Sequence, residues 1–211
     1  KVGFCDIDAA SAHALQAKLS AAGHQPMFTP CDVTDIAALK AAIAATADAF
    51  GDIDVLINNV ANDQRHDISE IDQNFFDWEV SVNLRPHVFA IQSVLPGMKR
   101  RGGGSIINMG SISWMNKNSK IPIYATLKSA SVGLTRSLSK ALGRDNIRIN
   151  HLAPGWTITE RQARLWLDAA GEKAIAEGQC LPGKVMPEDI AAMALFLASD
   201  DSKMITAQDF I

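Results

Sequence analysis

Cysteine is scarce in this sequence, and metal-binding patterns are missing from it. Three of the 211 residues are cysteine. They stand at Cys5, Cys31 and Cys180, an odd number at wide spacing, without the Cys-x-x-Cys pair or Cys/His cluster that binds zinc. Reduced thiols in a reducing compartment are the simplest account of this pattern. We therefore expect a cytoplasmic protein without a metal site.

The sequence also lacks an excess of charge and a long apolar run. It has 20 Lys and Arg against 23 Asp and Glu, a net charge of -3, which gives no electrostatic reason to expect nucleic acid or an anionic membrane as partner. The one basic cluster, Lys99 to Arg101, precedes glycines, as is typical of solvated cations at a helix end. No apolar run approaches the ~20 residues that span a bilayer. We therefore expect no nucleic-acid partner and no membrane segment.

What the sequence does have is a regular alternation of short apolar runs and longer helical patterns. The apolar runs predict strands at 2–5, 26–31, 54–58, 104–108, 147–152 and 209–211. Helical spacing predicts helices at 9–22, 34–50 with Thr34 or Asp32 as cap, 75–100 with a bend or break at Pro86 and Pro96, 124–142 and 187–197. This alternation indicates one α/β domain over residues 1–211, a doubly wound, Rossmann-type parallel sheet in a three-layer αβα arrangement.

In such a sheet, ligands bind beyond the carboxyl ends of the strands. Polar and turn-forming residues do collect after the predicted strands, at Asp6, Asp32, 58–59, Ser111 and 154–155. The stretch 156–184 is the one long connection between a strand and the next clear helix. A connection of that length inside a compact domain is often a lid over a site.

Tyr124 and Lys128 are four residues apart on a predicted helix, so they share one face. A tyrosine is a poor base at neutral pH, but a neighbouring ammonium stabilises the phenolate. Ser111 follows a strand, where its hydroxyl could hold a substrate oxygen. Asn83 lies on an otherwise apolar helix and needs hydrogen-bond partners if buried. Taken singly, the Tyr-x-x-x-Lys pair also fits a surface pair, and Asn83 also fits a satisfied core amide.

Taken together, these four residues resemble the catalytic tetrad of the short-chain dehydrogenase/reductase family. Further matching segments are 31–33, 54–59, 104–111, 148–150 and 153–155. The resemblance, which covers Val2 to Ile211, implies an oxidoreductase with a nicotinamide cofactor. It implies that Tyr124 is the general acid/base and that Lys128 lowers its pKa and holds the nicotinamide ribose. It implies that Ser111 positions the reacting oxygen and that Asn83 holds a water linking Lys128 to solvent.

Two departures from the family pattern stand out. The family's glycine-rich phosphate turn belongs to a strand and helix before Lys1, and the chain both opens and stops within a strand-like run. We therefore expect a domain cut at both ends, without its first strand, from a chain of roughly 250 residues. A signal sequence outside this stretch stays open. The family's Asn-Asn-Ala-Gly is here Asn58-Asn-Val-Ala61, and Ala61 has less backbone freedom than glycine.

For the cofactor, Asp6 favours NAD over NADP. A carboxylate at this strand end can accept both adenosine ribose hydroxyls and repels a 2′-phosphate, and no arginine follows it. Capping of the next helix, by Asp6 or Asp8, is compatible with this interpretation. The resemblance implies that the cofactor is also contacted by Tyr124, Lys128, Asp32, Val33, Asn59, Val60, Ala61, Pro154, Gly155, and Thr157 or Thr159.

For the substrate, segments 82–85, 96–104, 110–114 and 179–183 resemble bacterial aldose 1-dehydrogenases, which implies oxidation of a sugar's anomeric hydroxyl to a lactone. A sugar site needs hydrogen-bonding side chains and a flat aromatic surface. Besides Ser111 and Tyr124, the candidates are Asn62, Arg65, His66, Ser113, Trp114, Asn116, Trp156, and Arg161 or Gln162. Each also fits an ordinary loop, cap or packing role.

Other functions stay open. Within the family these are a carbonyl reductase of the 3-oxoacyl thioester type and a sugar-alcohol dehydrogenase; from another class, a non-catalytic binding protein. The helices predicted at 75–100 and 124–142 are apolar around much of their circumference, so we expect a homo-oligomer, a tetramer by family likeness.

Overall fold

The computed structural model describes all residues, 1–211, and contains six strands, all paired in parallel. The strands are β1 (Gly3–Asp6), β2 (Met27–Pro30), β3 (Val55–Asn58), β4 (Gly104–Met109), β5 (Ile147–Leu152) and β6 (Asp209–Phe210). They form two pieces: β1 pairs with β2, and β3, β4, β5 and β6 pair in that order. Since β1 and β3 are not paired, the sheet is interrupted between them, as expected for a Rossmann-type sheet without its first strand.

Eight α-helices connect and cover the strands. They are α1 (Ala9–Ala21), α2 (Ile36–Phe50), α3 (Gln73–Asn83), α4 (Arg85–Arg101), α5 (Pro122–Gly143), α6 (Glu160–Trp166), α7 (Ala169–Gly178) and α8 (Pro187–Ala198). The long helix predicted over 75–100 is two helices separated at Leu84, two residues before Pro86, whereas Pro96 lies inside α4. The connection 156–184 contains two helices, α6 and α7, that the sequence did not predict.

One capping prediction was wrong. The N-cap of α2 is Asp35, not Thr34 or Asp32, because the Asp35 carboxylate accepts hydrogen bonds from the N–H groups of Ala37 and Ala38. The Asp32 carboxylate instead accepts from the Thr34 N–H in the preceding turn. Asp8 caps α1, as the sequence suggested.

The core lies on both faces of the central strands, which makes the arrangement three-layered. Ile106 and Ile107 are adjacent on β4, and both are fully buried although they face opposite sides. Ile106 packs in a cluster with α4 and α5, and Ile107 packs in another with α8. Burial on both faces explains why nearly every residue of β4 and β5 is buried, rather than every second one. No helix of the structure combines the length and the apolarity needed to cross a membrane.

The basic cluster at the end of α4 is paired with acids of neighbouring turns. Lys99 contacts Asp145, Arg100 contacts Asp52 and Arg101 contacts Asp54. These cations lie at the negative end of the helix dipole, as the sequence indicated.

Candidate active site

Tyr124 and Lys128 lie on one face of α5, near its N-terminus. Lys128 is 1% exposed, and its Nζ lies 5.6 Å from the centroid of the Tyr124 ring. The ammonium donates a hydrogen bond of 2.7 Å to the carbonyl oxygen of Met109, at the end of β4. The two side chains share one face of the helix, as their spacing of four residues predicted, whereas the contact of the buried cation with Met109 was not predicted.

Burial controls the proton affinities of both groups. It raises the pKa of Tyr124 to about 12; the Asp63 carboxylate acts in the same direction, while a hydrogen bond from Ser111 and the charge of Arg65 oppose it. Burial also lowers the pKa of Lys128 to about 8. The sequence predicted a tyrosine whose pKa the ammonium lowers; in the structure burial raises the pKa of Tyr124, and the groups that lower it are Ser111 and Arg65. At neutral pH the site therefore holds a protonated phenol and a charged ammonium.

Ser111 lies two residues beyond the end of β4, with Gly110 between them. Its Oγ accepts a hydrogen bond from the N–H of Ser113, so Ser111 caps the short 3₁₀-helix Ile112–Trp114. Its hydroxyl also lowers the pKa of Tyr124, so Ser111 lies near the phenol. The three groups expected to handle the reacting oxygen, Ser111, Tyr124 and Lys128, are thus brought together.

Asn83 is fully buried at the end of α3, and both ends of its amide are engaged. Its Nδ2 donates to Glu79 Oε2 at 2.7 Å, and its Oδ1 accepts from the N–H of Asn62 at 2.9 Å. Glu79 is itself 0% exposed, its Oε1 has no partner, and burial raises its pKa to about 7. Asn83 therefore anchors the segment after β3, and its predicted contact with a water stays a prediction. Sequence reasoning missed Glu79, although a carboxylate one turn before Asn83 was a usable signal.

Asp63 joins the lid to the segment after β3. Its Oδ1 accepts from Arg161 Nη1 at 2.7 Å and its Oδ2 from Gln162 Nε2 at 3.1 Å, both on α6. Arg65 lies 3.4 Å from the same carboxylate, and its guanidinium stacks 4.6 Å from the ring centroid of Trp166. We call Asp63, Arg65, Arg161, Gln162 and Trp166 the lid latch. The sequence pointed to three of these residues as ligand contacts but not to Asp63, the acid that holds them.

His66 braces the start of α5. Its Nε2 accepts from the N–H of Ile123 and its Nδ1 contacts the carbonyl of Gln64 at 2.8 Å, which assigns the proton to Nδ1. The side chain of Asn62 likewise accepts from the N–H of Gln64. Both ring nitrogens of His66 are satisfied within the protein, so its predicted contact with a substrate stays a prediction that needs this brace to open.

Three further substrate candidates lie in the 3₁₀-helix that follows Ser111 or just after it. Ser113 and Trp114 line a surface hollow of about 330 Å³, together with Ala125, Thr126 and Ser129 on a different face of α5 from Tyr124. Asn116 is exposed just beyond. This placement separates the hollow from the phenol.

Trp156 lies on the other side of the site, after β5. Its indole Nε1 is buried without a partner, and its ring packs against Gly171 of α7. A buried donor without a partner is rare in a folded protein, so it is a candidate to bind a ligand oxygen.

The cofactor candidates line the carboxyl ends of the strands. Asp6 is the last residue of β1 and Asp32 follows the adjacent strand β2; both are exposed, while Val33, the next residue, is buried in the core. Asn59, Val60 and Ala61 follow β3, and Pro154 and Gly155 follow β5. Thr159 caps α6 through its Oγ1, whereas the Thr157 hydroxyl makes only a long contact of 3.4 Å with Gly155. An edge with two exposed carboxylates at one end and a buried ammonium at the other fits a ribose-containing nucleotide.

Comparison with known proteins gives consistent matches over the whole chain. Residues 1–211 match a family model described as enoyl-(acyl carrier protein) reductase. A D-xylose 1-dehydrogenase of Caulobacter vibrioides is 41% identical over 210 residues, which is 100% of this chain and 83% of that protein. A "Probable galactose dehydrogenase GalD" of Rhizobium meliloti is 42% identical over 212 residues, again 100% of this chain and 83% of that protein. A 7α-hydroxysteroid dehydrogenase solved with NADH and 7-oxo glycochenodeoxycholic acid superposes with a TM-score of 0.93 at 28% identity, covering 100% of this chain and 82% of that one.

Proposed function

The chain belongs to the short-chain dehydrogenase/reductase family, and we propose that this enzyme oxidises the anomeric hydroxyl of an aldose to a lactone with NAD. That it acts on a CH–OH group follows from its dehydrogenase relatives. The observation that carries the proposal is the juxtaposition of Tyr124 with the buried ammonium of Lys128 and with Ser111, at the carboxyl end of β4.

The chain's own residues would move the proton. Tyr124 takes the hydroxyl proton of the sugar as general base, and returns it in the reverse reaction as general acid. Lys128 keeps a positive charge within reach of the forming phenolate, and Ser111 holds the reacting oxygen. When bound, the nicotinamide supplies the redox chemistry by accepting a hydride. The raised pKa of Tyr124 means that oxidation should accelerate as the pH rises above neutral.

The charge balance of the lid latch supports a neutral, hydroxyl-rich substrate. Arg65 and Arg161, the cations that reach toward the site, are both engaged by Asp63. A carboxylate or phosphate substrate would need at least one of them as its counter-ion. Hydroxyl groups can instead use the donors and acceptors that the latch leaves available, and the buried indole N–H of Trp156 is one such donor. The sugar dehydrogenases among the relatives support the same substrate class.

NAD rather than NADP is supported by the exposed carboxylates of Asp6 and Asp32. One oxygen of Asp6 accepts from the N–H of Asp8, which orients the side chain at the strand end. A 2′-phosphate carries the same negative charge as these carboxylates, so their repulsion disfavours NADP there. Lys128 would hold the nicotinamide ribose, and Thr157 is better placed than Thr159 to bind the carboxamide, because Thr159 is used as a cap.

We also propose that the enzyme is a cytoplasmic homotetramer. Free thiols at Cys5, Cys31 and Cys180 suit a reducing compartment. Exposed apolar side chains on α3 and α4, among them Phe76 and Val88, would be covered by a second copy. Light scattering of the intact protein tests this, and a monomer contradicts it.

One observation favours a second candidate, reduction of a carbonyl compound. A phenol that is protonated at neutral pH can donate its proton directly to a carbonyl oxygen. A steady-state screen separates the two. Aldoses, polyols and 3-oxoacyl thioesters are each offered with the appropriate nicotinamide cofactor, and the product is identified by mass spectrometry. Lactone formation from aldoses alone supports the proposal; turnover of thioesters or polyols without aldoses overturns it.

A further inference from the structure

A buried polar side chain that this reaction does not use lies directly behind Lys128. His151, on β5, is 0% exposed. Its Nδ1 lies 2.6 Å from Asp209 Oδ1 on β6, and its Nε2 lies 2.9 Å from Ser131 Oγ on α5. Ser131 is also fully buried, and its hydroxyl donates to the carbonyl oxygen of Lys128 at 2.7 Å. The imidazole ring therefore joins the last strand to the helical turn that carries the ammonium.

The same ring packs against the segment that presents Ser111. A Cβ added at Gly110 would overlap Cε1 and Nε2 of His151. Gly110 separates Ser111 from Met109, whose carbonyl oxygen holds the ammonium of Lys128. Glycine at 110 and a large ring at 151 are thus complementary: the absent side chain leaves the space that the imidazole fills.

His151 also terminates a hydrogen-bond chain that runs under the site across the sheet. Asn58 on β3 donates to Asn108 on β4 at 2.8 Å, and Asn108 donates to Thr135 on α5 at 2.9 Å. Thr135 in turn donates to the carbonyl oxygen of Ser131 at 2.8 Å. The Ser131 hydroxyl then contacts His151, the last member of this series of hydrogen bonds. Satisfied buried networks of this kind make the groups they join rigid.

We propose that His151, oriented by Asp209, is a positioning residue that holds Lys128 and Ser111 in place around Tyr124. The inference rests on the proposed function, because it gives these three residues their catalytic roles. The Asp209 carboxylate accepts from Nδ1–H, so Nε2 is an acceptor that faces the Ser131 hydroxyl, whose single proton goes either to Nε2 or to the Lys128 carbonyl. Loss of the ring opens a cavity between α5 and the Met109–Ser111 segment, and the ammonium then lies less closely against the phenol.

The titratable groups that face His151 come from three elements. Asp209 on β6 raises its pKa, while burial and the charge of Lys128 on α5 lower it more, so the ring is neutral at neutral pH. His87 on α4 is buried, and burial together with the charges of Lys128 and His151 lowers its pKa to about 3, so it is also neutral. The rise of the rate above neutral pH, which is the acid limb of the profile, therefore reports Tyr124 and Lys128 rather than these two imidazoles.

The test compares His151→Ala and Asp209→Asn in the full-length enzyme. We expect His151→Ala to lower kcat at least fivefold with the KM of sugar and of NAD unchanged within twofold. We also expect the acid limb of its kcat profile to move to higher pH, because a less fixed ammonium stabilises the phenolate less. Asp209→Asn should act in the same direction with a smaller amplitude. In the unmodified enzyme, proton NMR should show a low-field Nδ1–H resonance at neutral pH that His151→Ala removes.

Two controls separate positioning from mere stability. Leu39→Ala creates a core cavity in α2, in a cluster that contains none of Tyr124, Lys128 and His151, and should lower the melting temperature without moving the acid limb. Gly110→Ala should impair the enzyme through overlap with the ring, and the double variant with His151→Ala should be less impaired than Gly110→Ala alone.

The inference is overturned if His151→Ala and Asp209→Asn keep kcat and the acid limb, or if the low-field resonance is absent. If His151→Ala does not fold, Asp209→Asn and the resonance decide. Tyr124→Phe separates a failure of the proposed function from a failure of the positioning role alone. If it stays active, the proposed function fails; if it is inactive while the His151 and Asp209 variants behave like the unmodified enzyme, only the positioning role fails.

Discussion

Replacement of Asp63 by Asn should open the lid and should also lower the pKa of Tyr124. The Asp63 carboxylate receives one contact of 2.7 Å from Arg161, one of 3.1 Å from Gln162 and one of 3.4 Å from Arg65. Asn keeps the shape and one acceptor oxygen, but it removes the charge that compensates both arginines.

The magnitude follows from the exposure of these partners. The Arg161 side chain is 50% exposed, so solvent screens its ion pair to about 0.5–1 kcal/mol. Arg65 is 26% exposed, and its longer pair adds a similar amount, again about 0.5–1 kcal/mol. The total of about 1–2 kcal/mol corresponds to roughly a 5–30-fold change in the lid equilibrium. If the sugar binds only under the closed lid, its KM rises by about the same factor.

Two assays measure the change independently. Initial rates at saturating NAD give the KM of the sugar, and limited trypsin digestion reports the exposure of Arg161 and Arg164 on α6, because cleavage follows the population of the open state. Asp67→Asn is the matched control, since Asp67 lies on the same segment but only caps Ser69. The negative charge of Asp63 also raises the pKa of Tyr124, so its removal should shift the acid limb of kcat to lower pH. An unchanged KM and an unchanged cleavage rate in Asp63→Asn would refute the latch.

Three further predictions concern buried or exposed charges. Glu79→Gln should stabilise the protein, because the folded pKa of Glu79, about 7, lies above its usual value of 4.5. The gain in the free energy of unfolding is absent below pH 4.5, complete above about pH 7 and at most roughly 3 kcal/mol. Thermal melts at pH 4.5 and 8 check it. Lys128→Met should raise the melting temperature below pH 8, where charging the buried amine costs most, and lower kcat at least ~100-fold; equal melting temperatures contradict the first half. Asp6→Asn should lower the ratio of turnover with NAD to turnover with NADP. An unchanged ratio contradicts the assignment of the ribose contact to Asp6.

Much of the scaffold could be predicted from local pattern. The strands at 104–109 and 147–152 were recognisable from their isoleucine-rich segments, which are buried on both faces of the sheet, and Pro86 marked the division between α3 and α4. The pair Tyr124 and Lys128 was recognisable because four residues along a helix place two side chains on one face. The lid helices escaped prediction because they are short, at seven and ten residues. The α2 cap was misplaced by one to three residues because several neighbouring residues could serve as cap.

What the sequence could not give are roles that depend on tertiary neighbours. Asp63 and Glu79 are ordinary acids until folding places one between two arginines and buries the other against Asn83. The sequence made His66 a candidate sugar ligand, but it could not show that Nε2 accepts from Ile123 of α5 while Nδ1 contacts the Gln64 carbonyl. His151 becomes significant only because Gly110, distant in sequence, has no side chain.

The most direct test of the account is the rate of the Tyr124→Phe enzyme with its best aldose across pH. Phe keeps the ring against Lys128 and removes only the hydroxyl. We expect kcat to fall about 10²–10⁴-fold at every pH, with NAD still bound and the melting temperature unchanged or higher. A Tyr124→Phe enzyme that turns over the sugar at the original rate would show that the proton leaves by another group.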